Sequence, residues 1–306
     1  MTSLADEMRQ LAAREGIDAA TERLYRRVVE SPVHGPFIQR IDEIRRREEP
    51  AAWRSDVLLA IVPAAFYREN PASGADGHVV RGVAERLGCP VAVVPVASTG
   101  TVSENARILI DFLRAQPPGR PVILASLSKG AADVKTALAD PAARRAFDSV
   151  AAWINLCGIL DGTPMADWLL SPAVGAVLGR LYYRLHRQDL GFLRDLRHGP
   201  GQTLDLPLDL PEHLSLISVA GFPLVEHLTP GAAKRCHHRL TPLGPNDGSV
   251  LLADACSQPG LLYPLWGADH YLNPKMLKPK TDVRALMSAI LQYLEETALC
   301  HLRGAR

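Results

Sequence analysis

The strongest constraint on this chain is a rhythm that begins near residue 56. Short apolar runs rich in β-branched residues lie at 56–63 (DVLLAIVP), 90–96 (PVAVVPV), 121–126 (PVILAS), 150–156, 214–220 (LSLISVA) and 261–266. Helix-length amphipathic segments separate them at 78–87, 103–115 and 130–138, and a closing one follows at 281–296. A strand that is apolar at every position is buried on both faces. Such strands alternating with helices predict an α/β fold with a six-stranded, mostly parallel sheet covered on each side. With 306 residues, 47% of them hydrophobic and 22% charged, the chain can bury a large core without disulfide or metal staples.

Two stretches depart from the rhythm. The first 50 residues hold 9 Arg and 10 acidic residues, far denser in charge than the rest. They read as three helices: one capped at Ser3 with Asp6 in a capping-box arrangement, one over 18–29, and one from about Pro36 to before Pro50. This helical N-terminal extension (1–50) is expected to pack as a layer on the main domain (51–306), an oligomer contact being the alternative. The second departure lies between the runs at 150–156 and 214–220. A helical apolar face at Leu170, Val174, Val177, Leu178, Leu181, Tyr182 and Leu185 is followed by a loop with Pro200, Pro207 and Pro211. An insertion of this length predicts a cap over 165–211, with packing into the core as the alternative.

Composition excludes several classes of function. There are 34 Lys and Arg against 33 Asp and Glu, a net charge of +1, which lacks the basic excess of a nucleic-acid binder. No apolar run is long enough for a transmembrane helix. The N-terminus has no signal-peptide pattern, and the five cysteines, at 89, 157, 236, 256 and 300, form no CxxC pair. They read as reduced thiols of a cytoplasmic protein. Cys236, His237 and His238 are adjacent, so their side chains diverge rather than chelate, and no metal is expected there.

The chemistry is concentrated in VILASLSKGAAD, 122–133: a buried strand, a sharp turn around Ser128, then a helix start. Ser126 and Gly130, two residues either side of Ser128, are small, as a tight strand-to-helix turn requires. The Ser128 hydroxyl is thereby placed at a helix N-terminus, where free N–H groups favour negative charge. An ordinary serine-capped turn is the plainer reading. Downstream, Asn246-Asp247-Gly248 and Ala268-Asp269-His270 supply an acid and a base in the order Ser, Asp, His. Taken alone, the first is equally a simple Asn-Asp-Gly turn.

Together these segments resemble the α/β-hydrolase superfamily, in particular its lipase and esterase branch. The turn resembles the nucleophile elbow G-x-S-x-G, with Ser126 in place of the first Gly. Gly162-Thr163-Pro164-Met165-Ala166-Asp167, Asn246-Asp247-Gly248-Ser249-Val250 and Trp266-Gly267-Ala268-Asp269-His270 look like that branch's G-T-P-x-A-D element, acid loop and histidine loop. The resemblance covers roughly 56–298 and leaves the first 50 residues unmatched. It implies Ser128 as nucleophile, Asp247 as acid, with Asp161 as the alternative, and His270 as general base. It also implies an oxyanion hole formed by the backbone N–H groups of Lys129 and Ala65, with Phe66 as the alternative to Ala65. The Lys129 side chain is expected to be partly exposed near the pocket, a Ser–Lys pair with Ser126 or Ser128 being the other reading. The implied activity is hydrolysis of a carboxylic ester or thioester with an apolar acyl part, with no cofactor. A small-molecule ester or acyl substrate is the expected partner. Acyl transfer, amide cleavage and a non-catalytic binding role are the alternatives.

Overall fold

The computed structural model describes residues 2–47, 53, 56–172, 177, 181, 190–272 and 282–299. Among them, six strands form one sheet, ordered β2-β1-β3-β4-β5-β6, in which every neighbouring pair is parallel. The strands are β1 (Leu58–Val62), β2 (Val91–Val93), β3 (Val122–Leu127), β4 (Val150–Leu156), β5 (Ser215–Phe222) and β6 (Leu261–Trp266). Each coincides with one of the apolar runs in the sequence.

Side chains alternate across a strand, and β1 shows the consequence. Leu58, Ala60 and Val62 join the core on one face, where α5 (Val102–Arg114) and α6 (Lys129–Leu138) pack through Leu109, Leu113, Val134 and Ala137. Leu59 and Ile61 join the core on the opposite face. There the covering helices are α1 (Leu4–Glu15), α2 (Ile17–Val29), α3 (His34–Arg45), α4 (His78–Leu87) and α10 (Val283–Glu296). Three further helices, α7 (Pro164–Leu170), α8 (Ala232–Leu240) and α9 (Leu252–Cys256), lie in the long connections on either side of β5.

The N-terminal helices are part of this second face. Ser3 caps α1, accepting a bond from the Asp6 N–H at 3.1 Å. Met8, Leu24, Phe37, Ile41 and Ile44 are buried in the same core as α10 and β6. Arg45 donates to the Tyr263 hydroxyl on β6 (2.8 Å), which donates to Asp42 (2.6 Å). Tyr25 packs against Trp266 with ring centres 4.6 Å apart and ring planes tilted by 56°.

The sheet order explains where a site can form. The chain leaves β1 toward β2 on one side and returns to place β3 on the other. The loops after β1 and β3 therefore part company at a topological switch point, where a crevice opens beyond the carboxyl ends of the strands. Val62 pairs with Ser126 across that gap, so the segments 63–67 and 127–130 emerge side by side.

Candidate active site

Ser128 follows β3 with φ 46° and ψ −113°, in a region that a residue with a side chain seldom enters. The backbone holds it there from two directions. The Ser128 N–H donates to the Leu156 carbonyl at 3.0 Å, and the Ser128 carbonyl accepts from Ile159 at 3.0 Å. Gly130 is fixed by sterics, since a Cβ there would stand 2.5 Å from the Val62 carbonyl oxygen and 2.8 Å from that of Pro63. Ser126 is fully buried, and its hydroxyl accepts the Trp153 indole N–H at 2.7 Å. A buried indole N–H needs a partner, and this contact gives the departure from Gly at that position a physical reason.

Ser128 Oγ lies 2.9 Å from His270 Nε2, and His270 Nδ1 lies 2.9 Å from Asp247 Oδ2. A carboxylate only accepts, so Nδ1 carries the proton and Nε2 is left to accept from the serine. Asp247 is at once a turn residue and a partner of His270. Its Oδ1 accepts from Ser249 N–H (2.8 Å) and Val250 N–H (2.7 Å), while its carbonyl accepts from His270 N–H (2.9 Å). The turn thus anchors the carboxylate that meets the imidazole. Burial presses the His270 pKa down, but the Asp247 charge, helped by Asp269, outweighs it and the net shift is upward from the ordinary histidine value.

Asp161, the alternative acid, and Asp269, the neighbour of His270, have partners of their own. Asp161 accepts from the buried Lys135 ammonium at 2.9 Å and from the Gln258 amide at 2.5 Å. Asp269 accepts from Thr229 N–H and Tyr271 N–H. In the loop after β1, the Ala64 N–H bonds the Ala75 carbonyl (2.9 Å) and the Phe66 N–H bonds the Ser98 carbonyl (3.3 Å). The Ala65 N–H between them has no protein partner among the described residues. The Lys129 N–H opens α6 and so has no intrahelical acceptor.

One expectation is corrected. The Lys129 side chain is not a partly exposed charge near the pocket; it is 2% exposed. Its ammonium bonds Asp133, one helical turn on, at 2.8 Å and lies 5.8 Å from the centre of the Phe192 ring. It pairs with neither Ser126 nor Ser128. Asp133 also accepts from Asn105 at 2.9 Å. Burial pushes the Asp133 carboxyl up to about 6 against the pull of Lys129 and Asn105. The i, i+4 spacing of Lys129 and Asp133 was a readable signal for this pair.

Ala64, Ala65, Ser128, Lys129 and His270 line one cleft of about 750 Å³. One wall is apolar, with Phe66, Ile159, Leu169, Phe192, Leu193 and Leu196 drawn from a single packed cluster. Much of that wall comes from two parts of the expected cap: α7 at its start and the turn Gly191–Arg194 in its second half. Thr163 ties this segment to the acid loop by donating to the Ser249 carbonyl at 2.5 Å. Of the apolar helical face expected between them, Val174, Leu178, Tyr182 and Leu185 lie outside the described residues, and Val177 and Leu181 are exposed. The sequence reading missed Cys157. Its sulfur, one carboxylate oxygen of Asp247 and one ring nitrogen of His270 all lie within 4.8 Å of one another.

No protein-family model matches the sequence, and no curated protein matches it. Among solved structures the chain is similar to a metagenomic carboxyl esterase, at 22% identity and a TM-score of 0.61, over 82% of this chain and 79% of that one. It is also similar to the mature form of the Bacillus licheniformis lipase BlEst2, at 20% identity and a TM-score of 0.54, over 82% and 96%. A third is the phospholipase PlaB of Legionella pneumophila, at 14% identity and a TM-score of 0.50, over 81% and 58%. At these identities the likeness is one of fold, and the fold is that of the α/β-hydrolases.

Proposed function

From an α/β-hydrolase fold carrying this constellation, we propose that the protein is a serine hydrolase. It cleaves a carboxylic ester or thioester with an apolar acyl part through an acyl-enzyme. The observation that carries the reading is the pair of 2.9 Å contacts linking Ser128 to His270 and His270 to Asp247 at the mouth of the cleft. A serine hydroxyl is a weak nucleophile until a base is positioned to take its proton, and that base works best when a third group fixes its tautomer.

In the proposed sequence His270 Nε2 takes the Ser128 proton as Oγ attacks the substrate carbonyl carbon. The oxygen that becomes negative is held by the Ala65 and Lys129 N–H groups, donors worth about 3 kcal/mol each in the transition state. Asp247 stabilises the imidazolium. Collapse breaks the bond to the alcohol or thiol, which leaves with the proton from His270. Water then repeats the attack on the acyl-serine with His270 as its base, releasing the acid and restoring Ser128. The segment 165–211 acts as the cap of this site, supplying Leu169, Phe192, Leu193 and Leu196 to the acyl chain. Among the described residues no helix is long and apolar enough to cross a membrane. The free thiols of Cys89, Cys157, Cys236 and Cys256 fit a reducing, cytoplasmic setting.

A fluorophosphonate probe tests the reading, because it reacts with a serine that is both base-activated and beside an oxyanion hole. Stoichiometric labelling is expected on Ser128 alone and is lost in Ser128→Ala. Equal labelling of Ser128→Ala would move the nucleophile to another serine, Ser126 first. No labelling of the parent chain would favour a binding protein on this fold.

A further inference from the structure

We propose that Cys157, Asp247 and His270 form an inhibitory site for a thiophilic divalent cation, zinc being the best fit, which switches off the proposed triad from behind. The inference rests on the reading of His270 as the base, and it concerns regulation of that same site.

Three observations lead to it. The first is the donor set. One thiol sulfur, one carboxylate oxygen and one imidazole nitrogen stand within 4.8 Å of one another. These are the ligand types zinc takes, at bond lengths of about 2.0–2.3 Å, and a soft sulfur disfavours magnesium or calcium. The second is room. Cys157 and Asp247, though not His270, line a cavity of about 20 Å³, on the order of one water-sized sphere, beside the donor set. The third is an oxygen without a partner. Asn155 lines the same cavity, is 4% exposed, and its Oδ1 makes no hydrogen bond among the described residues. It shares that cavity with two of the three ligands and offers a hard oxygen there.

The position of Cys157 is built rather than incidental. It directly follows β4 with φ 45°, a conformation held by the bond from its N–H to the Val219 carbonyl at 2.8 Å. That turn brings the thiol beneath the acid loop.

The charge and proton balance explains why occupancy would inhibit. Cys157 gives up its thiol proton to solvent, so that thiolate and carboxylate together neutralise the two charges of the cation. A neutral assembly is the form a buried site tolerates. His270 keeps one proton, but it moves: the metal takes Nδ1, so the proton passes to Nε2. With Nε2–H facing Ser128, the imidazole can no longer accept the serine proton, and Asp247 no longer orients it. The nucleophile is disarmed without anything entering the substrate cleft.

The test uses the full chain and two readouts. Cobalt(II) is titrated in place of zinc, because thiolate ligation gives a near-ultraviolet charge-transfer band whether or not the protein turns over. Zinc is titrated against p-nitrophenyl ester hydrolysis, with reversal by a chelator. One cobalt per chain with the band, and zinc inhibition that the chelator reverses, are expected. In Cys157→Ala the band should vanish, and the zinc concentration for half-inhibition should rise at least tenfold relative to its own zinc-free rate. Cys157→Ser should behave likewise if Cys157→Ala folds poorly, and Cys236→Ser should retain both responses. A band or an unchanged inhibition constant in folded Cys157→Ala would overturn the proposal. Ester hydrolysis by a chain that shows no band and ignores zinc would also overturn it while leaving the hydrolase reading intact. A Cys157-dependent band without any hydrolysis would keep the metal site but overturn its inhibitory role together with the hydrolase reading.

Discussion

At the scale of single residues the site turns on which carboxylate meets the imidazole. Asp247→Asn should preserve the turn, because its side-chain oxygen still accepts from Ser249 and Val250, yet lower kcat by about 10⁴ through the wrong tautomer. The pH profile gives a second reading. Activity needs neutral His270, whose pKa is raised, so kcat/KM of the parent should fall on acidification through a value above that of ordinary histidine. Without the Asp247 charge, the lowering by burial is opposed only by Asp269, and the acid limb of Asp247→Asn should move to lower pH. Asp161→Asn is the control: it removes a charged partner from Lys135, costing about 1.5–3 kcal/mol in urea unfolding while sparing kcat. The reverse pattern would place the acid after β4. The order Ser128, Asp247, His270 was legible because each sits in a short motif with a readable turn. The Ser126–Trp153 bond and the nearness of Cys157 were not, because they depend on neighbouring strands meeting in register, which no local pattern encodes.

Among the elements, α6 carries two separate duties. Its first N–H is proposed to hold the oxyanion, whereas the Lys129 side chain pairs inside the protein with Asp133. Lys129→Met should therefore lower stability by about 3–5 kcal/mol by stranding a buried carboxylate, with kcat of the folded fraction changed little. Adding Asp133→Leu should recover much of that loss in thermal unfolding. A large fall in kcat without a fall in Tm would assign the ammonium to the chemistry instead. The apolar wall formed by α7 and Gly191–Arg194 makes its own prediction. With p-nitrophenyl esters of rising acyl length, kcat/KM should climb up to fourfold per methylene, about 0.8 kcal/mol each, until the wall is filled. Leu169→Asp should flatten that slope; a slope already flat in the parent would remove the apolar-acyl reading. Strand positions were legible almost to the residue, because strands buried on both faces are apolar throughout. The burial of Lys129 was misread because a lysine beside a turn is ordinarily solvated, and its partner lies on the same helix in a run of small residues.

The whole molecule is organised around a sheet whose second face is closed by the first 45 residues together with α4 and α10. These helices read in sequence as a charged, amphipathic layer, and the structure gives that layer its partners: β6, α10 and the rings of Phe222, Trp266 and Tyr293. A chain lacking residues 1–47 should uncover that apolar face, bind a hydrophobic dye and lose solubility; a soluble, monomeric truncation with full Tm would show the layer to be dispensable. The same arrangement has a consequence for biosynthesis. α1–α3 are made well before the segments that complete their cover, which begin at Leu261 and Val283. At about 5–20 residues per second, roughly 10–50 s pass before those surfaces exist. Throughout that interval Phe37 and Ile41 of α3 lack their final cover, so the nascent chain carries an unsheltered greasy stripe. The segment that completes the cover is made long after the helices that wait for it, and a holdase that grips α1–α3 as they emerge should raise the yield of native protein more than one that acts after release.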